Sequence, residues 1–340
     1  MFLVLVVHAD FWALGRPDNT DFLNEPLGAW TRVIIQAVSI VCVNVFILIS
    51  GWFGIKPSLK GFIGFIFQCL YFSLGIYIFI LVIGRQSITA TGISQALCLL
   101  PTYWFVTAYI GLYILAPILN HFLSHANNRL IGTTLLIFYI FQTLYGWIGH
   151  ATFIDNGFST FSFVGLYLTS GYVRKLNLRH FKWSSIYVVC VITLSMLYYL
   201  QISFSSSCSL YLFAYINPII VVESLSLFML FKGFNIKSNQ YLNWIAKSAF
   251  AVYLLHTNQY LAISCYKKAC LEIFNNYNNL SFMVVISISL IMIFSLSILI
   301  DQPRIYIWNK ISDKTCTLIN YLIERLIDSL KNFITFNNQN

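Results

Sequence analysis

The chain has 340 residues, 59% hydrophobic and 9% charged, where an ordinary soluble domain is roughly a quarter charged. A soluble globular fold is excluded. The net charge of +9 does not point to nucleic acid, because Lys and Arg fall in short clusters between apolar runs instead of along one polar face.

A helix needs about 20 apolar residues to cross the hydrocarbon core, and runs of that size recur with short polar gaps. Spans are expected over 33–54, 62–83, 96–119, 130–149, 158–173, 184–203, 209–231, 246–265 and 282–301, after a first helix at 1–14. This is an all-α polytopic bundle of about ten transmembrane helices. The opening stretch FLVLVV has neither a basic n-region before it nor a small-residue cleavage site after it, so it is expected to stay in the membrane. It meets His8 and Asp10 after six apolar residues, too few to span, and the first helix is therefore expected to be truncated at its N-terminus.

Basic residues concentrate on cytoplasmic loops, and they alternate here. Arg16, Arg32, Arg85, Lys267 and Lys268 fall on one set of loops, and every other Lys and Arg falls on the opposite set or in the C-terminal tail. Both termini are accordingly expected in the cytoplasm. Kinks are expected at Pro101 and Pro117 and around Gly165 and Gly171. Residues 1–303 read as one membrane domain. Residues 304–340 read as a cytoplasmic amphipathic tail lying on the leaflet, with Ile319, Leu322, Ile323, Leu326, Ile327 and Leu330 at helical spacing.

Eight cysteines (Cys42, Cys69, Cys98, Cys190, Cys208, Cys265, Cys270, Cys316) show no CxxC and no zinc spacing, which leaves packing as their role and gives no metal site. No Walker or dinucleotide glycine loop occurs.

Ionisable groups inside a membrane are costly, and few occur here. His8 reads either as an inert interfacial histidine or as a general base for a hydroxyl. Asp10, two residues on, lies on the opposite side of a helix and forms no side-by-side dyad with it; it reads as an interface residue. Glu223 sits mid-span as a hydrogen-bond hub or as part of a substrate or proton path. His256 shares a helix face with Tyr253, and packing or a site role are both open. Trp104, Tyr109 and Tyr113 form an aromatic stripe. Asn44, Ser50 and Gly51 suit close helix packing. The cluster Arg174, Lys175, Arg179, His180, Lys182 serves as a topology signal or meets the phosphates of a cytoplasmic ligand.

Taken in order, HADFW closing the first helix, NVFILISGWFG in the second, YWFVTAYIGLYILAPIL in the fourth, LYLTSGYVRK in the sixth and SAFAVYLLH in the ninth resemble the acyltransferase 3 family. The resemblance runs from His8 to about Pro303. It implies an enzyme that moves an acyl group, usually acetyl from acetyl-CoA, onto a hydroxyl of a carbohydrate or lipid-linked saccharide. Acetyl-CoA would be a donor substrate, with no bound cofactor. The implied setting is a bacterial cell membrane, with membrane lipids around the bundle and surface polysaccharide as the product. Residue by residue, His8 matches the family's essential first-helix histidine, Ser50 and Gly51 its serine-glycine, Trp104 its tryptophan, and Tyr253 and His256 its ninth-helix pair. Arg174 and Lys175 are the residues expected to meet the coenzyme A phosphates.

The family also carries an Arg about three helical turns before that histidine; here the place falls before Met1. Its Arg-rich loop after SGWFG is represented by Lys56 and Lys60. Two other classes compete: a saccharide or lipid-precursor transporter or flippase with Glu223 in the path, and a non-catalytic membrane interaction protein.

Overall fold

The computed structural model describes the whole chain except residues 101, 177, 179–180, 205–210, 235–236, 238 and 338–340, and the side chains of 279 and 329–337. Pro101, Cys208, Arg179, His180 and the side chain of Leu330, all singled out from the sequence, therefore lie outside the described residues. The described chain is 83% helical and contains no strand.

Among the described residues ten principal helices follow one another: α1 Phe2–Trp12, α2 Pro26–Phe53, α3 Leu59–Val82, α4 Trp104–His125, α5 Asn128–Ile148, α6 Thr160–Lys175, α7 Trp183–Phe204, α8 Pro218–Gly233, α9 Gln240–His256 and α10 Asn279–Asn337. Short polar side chains open many of them. Ser58, Asn127, Ser159, Asn217 and Asn239 each accept a hydrogen bond from a backbone N–H in the first turn, the usual satisfaction of otherwise orphaned donors. In the loop before α2, Asp18 caps the short helix Asn19–Asn24. The Thr20 hydroxyl and the backbone N–H groups of Asp21 and Thr20 hold its carboxyl below the usual carboxylate range.

Among the described residues, six helices are long and apolar enough to cross a membrane, namely α2, α3, α4, α5, α7 and the segment Leu280–Asp328 of α10. α6, α8 and α9 are shorter, and each is extended by irregular backbone. Non-helical backbone at membrane depth is tolerated where it is buried in protein or lines a cavity, and the cavity described below lies against these breaks.

Several boundaries differ from hydropathy. α2 begins at Pro26 instead of 33, which brings Arg32 inside the helix. α4 begins at Trp104 instead of 96, because the short helix Ala90–Ala96 ends first and Cys98 takes a positive φ of 54°. α8 begins at Pro218 instead of 209, and α9 stops at His256 instead of 265. α2 is interrupted for one residue at Val41, between Pro26–Ile40 and Cys42–Phe53, a site without proline. α4 stays helical across Pro117. α10 runs on without a break through Pro303, where buried Arg304 holds Asp301 through two bonds of 2.8 and 2.6 Å. Its next turns lie along α3, with Trp308 stacked on Phe67 and Lys60 donating to Asp313 at 2.7 Å.

Asp10, expected at the membrane interface, is instead buried and paired with Arg32 at 2.8 Å; Arg32 also donates to the Gly15 carbonyl. The pair ties α1 to α2.

The Ser50–Gly51 pair packs as its composition suggests. The second half of α2 lies against α6, Ser170 donates to the Leu48 carbonyl at 2.5 Å, and a Cβ on Gly51 would sit 2.4 Å from the Tyr167 carbonyl oxygen. Backbone cannot retreat as a flexible side chain does. Gly51→Ala is therefore expected to destabilise the bundle by about 1–3 kcal/mol, read as a lower melting temperature in detergent; an unchanged melting temperature would refute this account of the α2–α6 contact.

Candidate active site

α1 opens into a π-helical turn over His8–Trp12. Such one-turn widenings are frequent at functional sites because they re-aim side chains that a regular helix would align. Here the turn sends neighbours in opposite directions. Asp10 goes to Arg32, while His8 and Trp12 face a cavity of about 520 Å³.

The cavity is walled by α1, by Gln36 and Ile40 of α2, by Tyr103 and Trp104 at the start of α4, by Phe158 before α6, by Tyr211, Phe213 and Tyr215 of the stretch before α8, and by Tyr253, His256 and Thr257 at the end of α9. The backbone is unwound where these walls meet. Asn44 donates to the Tyr215 carbonyl at 2.8 Å and Asn217 to the Leu212 carbonyl at 2.7 Å, so side-chain amides hold the non-helical stretch. Asn258 donates to the Tyr103 hydroxyl at 2.8 Å, and that hydroxyl donates to the Leu254 carbonyl at 3.2 Å, which locks the end of α9 to the start of α4.

At the centre, His8 Nδ1 and His256 Nε2 are 2.8 Å apart. The second nitrogen of His256, Nδ1, lies 2.5 Å from the carbonyl oxygen of Val252. A carbonyl only accepts, so His256 Nδ1 carries the proton it donates. In the neutral ring, Nε2 then holds a lone pair and must accept from His8 Nδ1–H. This chain of two bonds leaves His8 Nε2 as an unprotonated nitrogen without a partner among the described residues. His256 is buried and has both nitrogens engaged, whereas half-buried His8 keeps one free. The Tyr266 hydroxyl donates to the Leu5 carbonyl at 2.6 Å, one turn before His8, and its ring lies 5.3 Å from that of His256. The pair is thus held from both sides.

The walls are mostly aromatic. Trp104 meets Phe158 edge-on at 4.5 Å and stacks over Tyr215 at 6.1 Å. Tyr253 packs among Phe105, Phe250 and His256. Polar groups are interspersed among the rings, as the tyrosine hydroxyls, Thr102, Thr257 and the two imidazoles. Buried Gln36 has a side-chain carbonyl oxygen with no partner, and Arg16 is the one lining residue of fixed charge among those described, with no acid in the lining.

The structure therefore brings four sequence candidates, His8, Trp104, Tyr253 and His256, into one cavity. It does not bring the others there. Ser50 hydrogen-bonds the Phe46 carbonyl and Tyr109 further along α2. Arg174 and Lys175 end α6, where they donate to the carbonyls of Trp52 at 2.6 Å and Ala126 at 3.3 Å. Glu223 is fully buried on α8, which packs on α7 and the second half of α2, and both its carboxyl oxygens lack a partner. It does not line the cavity. Sequence reading passed over Arg16, Gln36, Tyr103 and Tyr215. Of these only Arg16 left a signal, as a cation on a loop set otherwise poor in them.

No group of three or more metal-ligating side chains occurs among the described residues. No curated protein and no solved structure matches the chain. Residues 1–301 match the family model described as an acyltransferase domain, and with that match over most of its length this polytopic membrane protein belongs to the acyltransferase 3 family.

Proposed function

We propose that the protein transfers an acetyl group from acetyl-CoA to a hydroxyl of a cell-surface or lipid-linked saccharide, with His8 as general base. The observation that carries this reading is the paired-histidine geometry, which leaves one basic nitrogen at an aromatic-walled cavity. Flat aromatic rings offer apolar faces to sugar rings.

In the reaction, His8 Nε2 takes the proton of the acceptor hydroxyl as its oxygen attacks the thioester carbonyl carbon. The resulting imidazolium shares its Nδ1–H with His256, which steadies the charge without taking the proton. Collapse of the tetrahedral intermediate reforms the carbonyl, breaks the carbon–sulfur bond and expels the coenzyme A thiolate. The proton on His8 Nε2 then passes to that sulfur, which returns the base to its starting state.

The alternation of basic residues assigns the ends of α2 and α6 that carry Lys56, Arg174 and Lys175 to the cytoplasm. Acetyl-CoA then enters there, its phosphates meeting Arg174 and Lys175 through donors not spent on Trp52 and Ala126. α6 rises about 21 Å between Arg174 and Thr160, which follows the cavity residue Phe158 by two positions, so the donor's extended arm spans much of the bundle and the acceptor comes from the opposite face.

The test is reconstitution of the full chain in liposomes with radiolabelled acetyl-CoA and a panel of surface saccharides. Label on the glycan, with a mass gain of one acetyl group, is expected. Saccharide that crosses the bilayer unmodified would overturn the reading in favour of a transporter.

A further inference from the structure

The five basic residues of the loop set assigned to the outside are where the positive-inside bias does not require them. Two are ion-paired and a third lies elsewhere. Arg32 is paired with Asp10, Lys268 lies 3.8 Å from Glu272 one helical turn on, and Arg85 sits in the turn after α3, away from the cavity. The remaining two, Arg16 and Lys267, have no acidic partner within 4 Å among the described residues. Both instead lie over aromatic rings of the same cavity. The Arg16 guanidinium is 4.3 Å from the centre of the Tyr211 ring, and the Lys267 ammonium is 5.7 Å from that of Trp12. Tyr211 and Trp12 are both lining residues, no lining residue among those described is acidic, and Arg16 itself lines the cavity.

A cation held on a ring face keeps its N–H donors for another partner. Two such cations beside one cavity without acids make a positive potential that an anion lowers. We infer that the acceptor is an acidic glycan, whose carboxylate or phosphodiester is bound between Arg16 and Lys267 while the hydroxyl to be acylated reaches His8. This rests on the reading of the cavity as the acceptor site. The donor is also anionic, but its phosphates are assigned to the opposite end of α6, so the two cations govern the acceptor and not acetyl-CoA.

The experiment titrates the full-length protein in nanodiscs with uronate-, sialate- and phosphodiester-containing oligosaccharides, each beside its carboxyl-reduced or dephosphorylated counterpart. Tryptophan fluorescence, with Trp12 and Trp104 in the walls, reports binding. At least one acidic member is expected to bind about tenfold tighter than its neutral counterpart, with the difference shrinking as salt rises. Arg16→Gln and Lys267→Gln are each expected to weaken that member about threefold or more, and Arg16→Lys to restore most of it. In acetyl-transfer assays the acceptor KM rises in the Gln variants while the acetyl-CoA KM stays within about twofold.

Equal binding of acidic and neutral members, or binding of none, overturns the inference, as does a rise in the acetyl-CoA KM in place of the acceptor KM. Selective binding of an acidic glycan by a protein that acetylates none of the panel would sink the acyltransferase reading and leave this one standing.

Discussion

Replacing His8 by asparagine is expected to lower kcat for acetyl transfer by about 10²–10⁴-fold, the contribution of a positioned general base. Asparagine is the informative choice because its amide nitrogen stands near the place of the imidazole Nδ1. It can go on donating to His256 Nε2, now 2.8 Å from His8 Nδ1, while nothing replaces the basic Nε2. The fold has little reason to respond. His8 is half-buried at a cavity large and polar enough to admit water, so a vacated volume can be solvated. A melting temperature close to that of the parent, together with lost turnover, is the expected pair of results. Retained turnover in His8→Asn would remove His8 from the chemistry, and His8→Ala serves as the control that lacks both nitrogens.

The residues that meet at this site were legible singly and not as a pair. His8 and His256 are 248 positions apart, and no periodicity links the first helix to the ninth. Each histidine alone supports a bland reading, and only the tertiary contact turns two ambiguous side chains into a chain of donors and acceptors. The opposite facing of His8 and Asp10 was visible from helical geometry, although burial and the Arg32 partner were not. Arg32 reads as a loop cation until Pro26 is seen to start the helix six residues before it.

Helix boundaries failed where hydropathy could not see them. Residues 211–217 are apolar and aromatic enough to pass for the start of a span, yet their backbone is unwound and held by Asn44 and Asn217. The same holds after His256, where Asn258 caps the next short helix and breaks what composition presents as a continuous run. Both breaks border the cavity, so local sequence signals are weakest where the site is built. By contrast the all-α polytopic class and the Gly51 packing followed directly, because they depend on apolarity and the absence of a side chain.

His256 is a positioning residue in this scheme, and its variants separate that role from a structural one. Its Nε2 must accept from His8 Nδ1–H, so the lost function is an acceptor at the far end of a six-atom side chain. Glutamine carries a carbonyl oxygen close to that place, and asparagine carries one a methylene short. His256→Ala is expected to lower kcat by about 10²-fold, because His8 can then take the wrong tautomer or turn away. KM values should move little, since the ring wall provided by Tyr253 and Trp104 is untouched. His256→Gln should recover about tenfold of that loss and His256→Asn should not, although both lose the bond to the Val252 carbonyl and both leave the same helix end. A purely structural role would penalise the two alike, lowering the melting temperature in step with activity. Equal kcat in the glutamine and asparagine variants, or an unchanged kcat in His256→Ala, would therefore dismantle the proposed relay, whereas graded recovery with constant KM fixes the direction of the hydrogen bond and names His8 as the base.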